Sequence, residues 1–111
     1  MRGCCTDGWI PNFAPPGTAI TPEAPGYTPE VAAEAIDWIR REREAAGLAG
    51  RPYAITQEGS TSTTDAAAAA EVVRPWAEAG VTWWLEADWS VPAEQVEAMS
   101  RARIAAGPPS V

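Results

Sequence analysis

The chain contains no histidine and no lysine, and all eight of its basic residues are arginine. Without imidazole there is no histidine general base, nucleophile activator or metal ligand, and without an amine side chain there is no Schiff-base chemistry. Cysteine is limited to the adjacent pair Cys4 and Cys5, with no further cysteine to bridge to. That excludes a disulfide framework, makes a zinc site a poor reading, and leaves two small thiols in a reducing compartment. No apolar run approaches the ~20 residues of a membrane span, and MRGCCTDG lacks the apolar stretch of a signal peptide. The expectation is a cytoplasmic protein. Positive charge is scarce as well: the formal net charge is −7 over 111 residues. A surface that acidic argues against nucleic acid and anionic membrane as partners.

What is present reads as globular, with 46% hydrophobic and 21% charged residues in a length suited to one domain. Three segments share one order: a short apolar stretch, a polar turn, then an amphipathic helix. The first strand region is 6–11, TDGWIP, followed by a proline-rich loop over 12–27. Thr28-Pro29 has the chemistry of a helix N-cap followed by proline at the first helical position, and it opens a helix predicted over 28–47. Within it, Asp37 and Arg41 form an exposed pair four apart. Arg40, Arg41 and Arg43 alternate with Glu42 and Glu44, which reads as a solvated face. YAITQEG predicts a strand over 53–59, and STSTTD supplies the cap for an alanine-rich helix over 64–79. Pro75 interrupts that helix and predicts a kink or restart near Val72. VTWWLEA predicts a strand over 81–87, and the last helix, over 90–106, is expected to bury Val96 and Met99.

This alternation implies parallel strands joined by right-handed crossovers, hence an α/β fold of three consecutive βα units. Three strands make a narrow sheet. Both edges would be open, and parallel sheets are normally covered on both faces. The chain therefore reads as part of a larger object.

The segments TDGWIP, YAITQEG, VRPWAEAGVTWWLEADWS and RARIAAGPP, in that order, resemble the C-terminal end of the bacterial luciferase-like monooxygenase family. The resemblance implies about the last three βα units of a (β/α)₈ barrel and a flavin- or deazaflavin-dependent oxidoreductase acting on a small organic substrate. The implied cofactor is FMN or a deazaflavin coenzyme. The family grips the cofactor largely with glycine-rich loops and strand ends that precede the DGW segment, and MRGCC carries no such loop. The resemblance thus implies a truncated relative or fragment that is inactive as an isolated chain and need bind no cofactor itself. Self-association, or association with the missing part of the barrel, would complete it.

Functional groups of such barrels sit at the C-terminal ends of the strands. By that rule the pocket candidates are Asp7, Glu58, Trp84, Glu86 and Asp88. Alternation separates Tyr53, Ile55 and Gln57 from Ala54, Thr56 and Glu58, and Val81, Trp83 and Leu85 from Thr82, Trp84 and Glu86. The more apolar sets are expected to face the helices, which turns Thr56, Glu58, Thr82, Trp84 and Glu86 inward. On one reading Glu58, Trp84 and Glu86 shape a pocket over a planar ring. On the other, Trp84 is core and the two glutamates bond backbone or arginine groups. Paired carboxylates at strand ends also suit glycoside hydrolysis, which sets them ~5–9.5 Å apart. A non-catalytic α/β module that folds as an oligomer is the alternative to any enzyme.

Overall fold

The computed structural model describes residues 7–11 and 27–111. Cys4, Cys5 and most of the proline-rich 12–27 segment lie outside the described residues. Among the described residues three strands and three helices alternate. Strand β1 is Gly8–Trp9, helix α1 Pro29–Ala45, strand β2 Ala54–Gly59, helix α2 Ala66–Ala79 and strand β3 Trp83–Glu86. A single 3₁₀ turn, Ala93–Gln95, then leads into helix α3, Val96–Ala106. The strands form one parallel sheet in the order β1-β2-β3.

The helix boundaries follow from local chemistry. Thr28 accepts the Val31 amide at 3.3 Å through Oγ1, with Pro29 just inside the helix where its missing N–H costs nothing. Asp65 caps α2 by accepting the Ala68 amide at 2.9 Å. Helix α1 ends with the Leu48 amide on the Arg43 carbonyl and the Gly47 amide on that of Glu44, the paired bonds of a Schellman turn. Helix α2 ends in the same way, with the Val81 amide on Trp76 and the Gly80 amide on Ala77. Gly80 has φ +114°, a backbone conformation that side chains with a Cβ rarely adopt, so the position needs glycine. α2 runs through Pro75 as one helix instead of restarting near Val72. The expected Asp37–Arg41 pair is replaced by Asp37–Arg40 at 3.5 Å.

Successive parallel strands laid down in one direction by right-handed crossovers put their helices on the same face. The core lies there. Ala32 and Ile36 of α1, Ile55 of β2, Trp76 of α2 and Tyr27 form the buried cluster, with Tyr27 and Trp76 rings 5.4 Å apart. Burial raises the Tyr27 pKa. Arg43 is buried instead of solvated: it donates to the carbonyls of Leu48 at 3.2 Å and Arg51 at 3.1 Å, and its guanidinium lies 4.2 Å above the Tyr53 ring. It ties the α1–β2 connection to the sheet.

Among the described residues no helix lies on the opposite face of the sheet. Register partners in a parallel pair point the same way, and Thr56 pairs with Trp83 while Gln57 pairs with Trp84. Ile55 and Gln57 are on the helix side, as the alternation of β2 implies, so Trp84 must be there too. Indeed Trp84 packs against the core cluster, while Trp83 is 66% and Leu85 47% exposed. The expected orientation of β3 is therefore inverted. Val96 and Met99 are likewise exposed, and no residue of α3 is buried.

Candidate functional site

Why Trp84 takes the helix side is visible in its neighbours. Gly59 pairs with Glu86, and the Trp84 six-membered ring lies directly over the Gly59 Cα, where any Cβ would collide with ring carbons Cζ2 and Cη2. The indole Nε1 donates to Glu86 Oε2 at 3.0 Å. At the start of the strand, Thr82 Oγ1 accepts the Ile55 amide at 2.9 Å and donates to the Ile55 carbonyl at 3.2 Å. These contacts fix the register, and the register fixes which tryptophan is inside.

The C-terminal ends of β2 and β3 and the facing side of α3 enclose a groove of about 260 Å³. Val91, Val96, Met99 and Ile104 make its apolar wall, Ser60, Thr61 and Thr63 its hydroxyl wall, and Glu86, Asp88 and Arg103 its charges. Glu86 is fully engaged. Its carboxylate accepts from the Thr61 amide, from Thr61 Oγ1 at 2.9 Å and from Trp84, with Arg103 Nη1 3.9 Å away. Arg103 in turn donates to Thr61 Oγ1 at 2.7 Å, to the Ser62 carbonyl at 3.1 Å and to the Gly107 carbonyl at 2.7 Å. A carboxylate so occupied by donors is a structural knot at the strand end, not a free acid or base.

The sequence candidates thus separate in space. Trp84 and Glu86 are bonded to each other, and Asp88 stands next to them on the groove. Asp88 accepts from the Ser90 amide at 2.9 Å and from the Ser90 hydroxyl, and the hydroxyl bond is the first reason its pKa is lowered. Glu58 is exposed and belongs to the set of β2 that faces away from the helices. Asp7 is at the other end of the sheet, preceding β1, where its carbonyl accepts the Ala54 amide at 3.0 Å. Asp7 and Glu58 therefore do not converge on the groove.

Searches of family models, of curated proteins and of solved structures found no match to this chain. Its chemistry has to be argued from the site.

Sequence reasoning did not find Thr61, Arg103 or the role of Gly59. A glycine inside a strand run marks a close approach of another group, and that signal was present in YAITQEG. An arginine in the last turn of a helix signals a bond to terminal carbonyls, which Arg103 makes to Gly107. The Thr61 contact spans 42 residues of chain and has no local signature. Among the described residues no cluster of acidic or cysteine side chains could hold a metal, and no helix is long and apolar enough to cross a membrane.

Proposed function

We propose that this chain is the closing wall of a luciferase-like (β/α)₈ barrel, whose parent reaction is flavin- or deazaflavin-dependent oxidation or reduction of a small organic substrate. The observation that carries the reading is the sheet face on which no helix lies among the described residues. Three parallel strands in sequential order, helices on one side and exposed Trp83 and Leu85 on the other, are what a barrel wall looks like when its interior is opened to water. On this reading Thr56, Glu58, Trp83 and Leu85 are the inward residues, and Trp83 replaces Trp84 as the indole that can stack on a planar ring.

The residues present do not fit the cofactor's phosphate. The groove at the strand ends presents the acids Glu86 and Asp88, and its arginine is already committed to Thr61, Ser62 and Gly107. The phosphate grip belongs to other strands, and when bound in the whole barrel the flavin supplies the hydride or oxygen chemistry. This chain contributes apolar wall and ring-stacking surface.

The test uses lumiflavin, an isoalloxazine without phosphate, beside FMN. Quenching of tryptophan emission by lumiflavin below ~100 μM, lost in Trp83→Ala and no tighter for FMN, is the expected result. Absence of quenching over that range removes the oxidoreductase reading for this chain. The second reading, a non-catalytic module completed by its own copies, rests on the same exposed Trp83 and Leu85. It expects concentration-dependent association in light scattering, with no lumiflavin response.

A further inference from the structure

Helix α3 is held in a different way from the rest of the molecule. It has 11 residues, none of them buried. Isolated helices shorter than about 12–15 residues are marginal in water, so α3 needs tertiary support. Its apolar side chains supply only part of it, because Val96 and Met99 are nearly half exposed and Ile104 is 81% exposed. The pair Glu97–Arg101, 2.9 Å apart on the solvent side, is internal to the helix and fastens it to nothing.

The fastening is Arg103. Its side chain is only 19% exposed, and one nitrogen reaches the Thr61 hydroxyl and the Ser62 carbonyl while staying 3.9 Å from Glu86. The other nitrogen holds the Gly107 carbonyl and so closes the C-terminus of the same helix. Thr61 passes the connection on to Glu86, and Glu86 to Trp84 and thereby to the core. Upstream, the Asp88–Ser90 turn is fixed by its own bonds, and the Ala87 amide is anchored on the Gly59 carbonyl at 2.8 Å. Among the described residues, the bonds that tie the segment after Ser90 back to the 61–62 turn come from the Arg103 guanidinium.

We propose that residues 91–106 form a hinged arm that Arg103 latches over the groove, and that the arm opens as a unit while the sheet, α1 and α2 stay folded. The inference is independent of the barrel reading, since it rests on the contacts of α3 alone. Opening parts the wall of Val91, Val96, Met99 and Ile104 from the wall of Ser60, Thr61 and Thr63, so the latch controls access to the groove.

Hydrogen–deuterium exchange on the full chain, resolved by peptide, tests this. In the wild type, α3 exchanges faster than α1 and α2. Arg103→Ala is expected to speed exchange of 96–106 by about tenfold or more, the scale of losing bonds from a charged donor, with α1, α2 and β2 unchanged. Arg103→Lys, which keeps the charge but loses the fork, should fall between the two. Unchanged exchange of α3 in Arg103→Ala overturns the proposal. Equal acceleration throughout the molecule, or loss of the folded far-UV signal, also overturns it, because the core would then depend on Arg103.

Discussion

Replacing Gly59 by alanine puts the packing of Trp84 to a test in which even the sign is informative. In an ordinary strand position the change stabilises by about 0.5–1 kcal/mol, because glycine has more freedom to lose on folding. Here the new methyl would occupy the space of Trp84 Cζ2 and Cη2. Overpacking of this kind costs about 1–3 kcal/mol. Moving the indole aside also gives up its 3.0 Å bond to the Glu86 carboxylate, a bond to a charged group worth roughly 1.5–3 kcal/mol. The two losses overlap, so Gly59→Ala should destabilise by about 2–4 kcal/mol, read as a lower urea midpoint at unchanged slope and a Tm lower by roughly 10 °C or more. In a Trp84→Leu background the obstruction is gone, and the same substitution should become neutral or stabilising. A Gly59→Ala protein as stable as wild type would refute the account of why Trp84 is inside.

Arg43→Met keeps most of the side-chain volume but takes the guanidinium donor from the Arg51 carbonyl and from the Leu48 carbonyl, which keeps the Arg51 amide, and removes the cation above Tyr53. The expected loss is about 2–4 kcal/mol in urea unfolding. Ser90→Ala removes the hydroxyl that lowers the Asp88 pKa, so the carboxyl should titrate closer to the ordinary aspartate range, measurable by NMR. A depressed folded pKa contributes stability above the unfolded value, and that contribution is lost as pH falls through the folded value. The wild type should therefore lose more than Ser90→Ala across the acid range. Asp65→Ala should cost α2 its cap, about 1 kcal/mol, with the loss confined to that helix in exchange.

Elements with local punctuation were legible in the sequence. Thr28-Pro29, Asp65, Gly47 and Gly80 mark helix ends by chemistry that acts within four residues, and the structure uses each of them. The orientation of β3 was not legible. With tryptophan at both 83 and 84, the alternation carries no clear difference in hydropathy between the two faces, and register decides. Register is set by Thr82 on Ile55 and by the room above Gly59, contacts made across 25 or more residues of chain. Arg43 looked like one of three solvated arginines because its acceptors, Leu48 and Arg51, are carbonyls, which no side-chain pattern reveals. Val96 and Met99 have helical spacing, yet spacing says only that they share a face. It does not say that anything covers it.

The same distinction applies to the site. Glu86 and Trp84 lie together as partners in a bonded knot with Thr61 and Arg103. Asp7 and Glu58 shared a strand-end rule with them without sharing a location. A rule about strand ends depends on which end of the strand a residue occupies, and the two-residue β1 begins only after Asp7.

The central claim is that the sheet face bearing Trp83 and Leu85, on which no helix lies among the described residues, is a surface built to be covered, by copies of this chain when it stands alone. Sedimentation velocity from ~5 to ~200 μM, spanning the micromolar affinities of modest interfaces, tests it on the wild type and on Trp83→Glu/Leu85→Glu. The expected result is concentration-dependent association of the wild type and a folded monomer for the double variant. A wild type that stays monomeric over the whole range, with no difference from the variant, would contradict the claim.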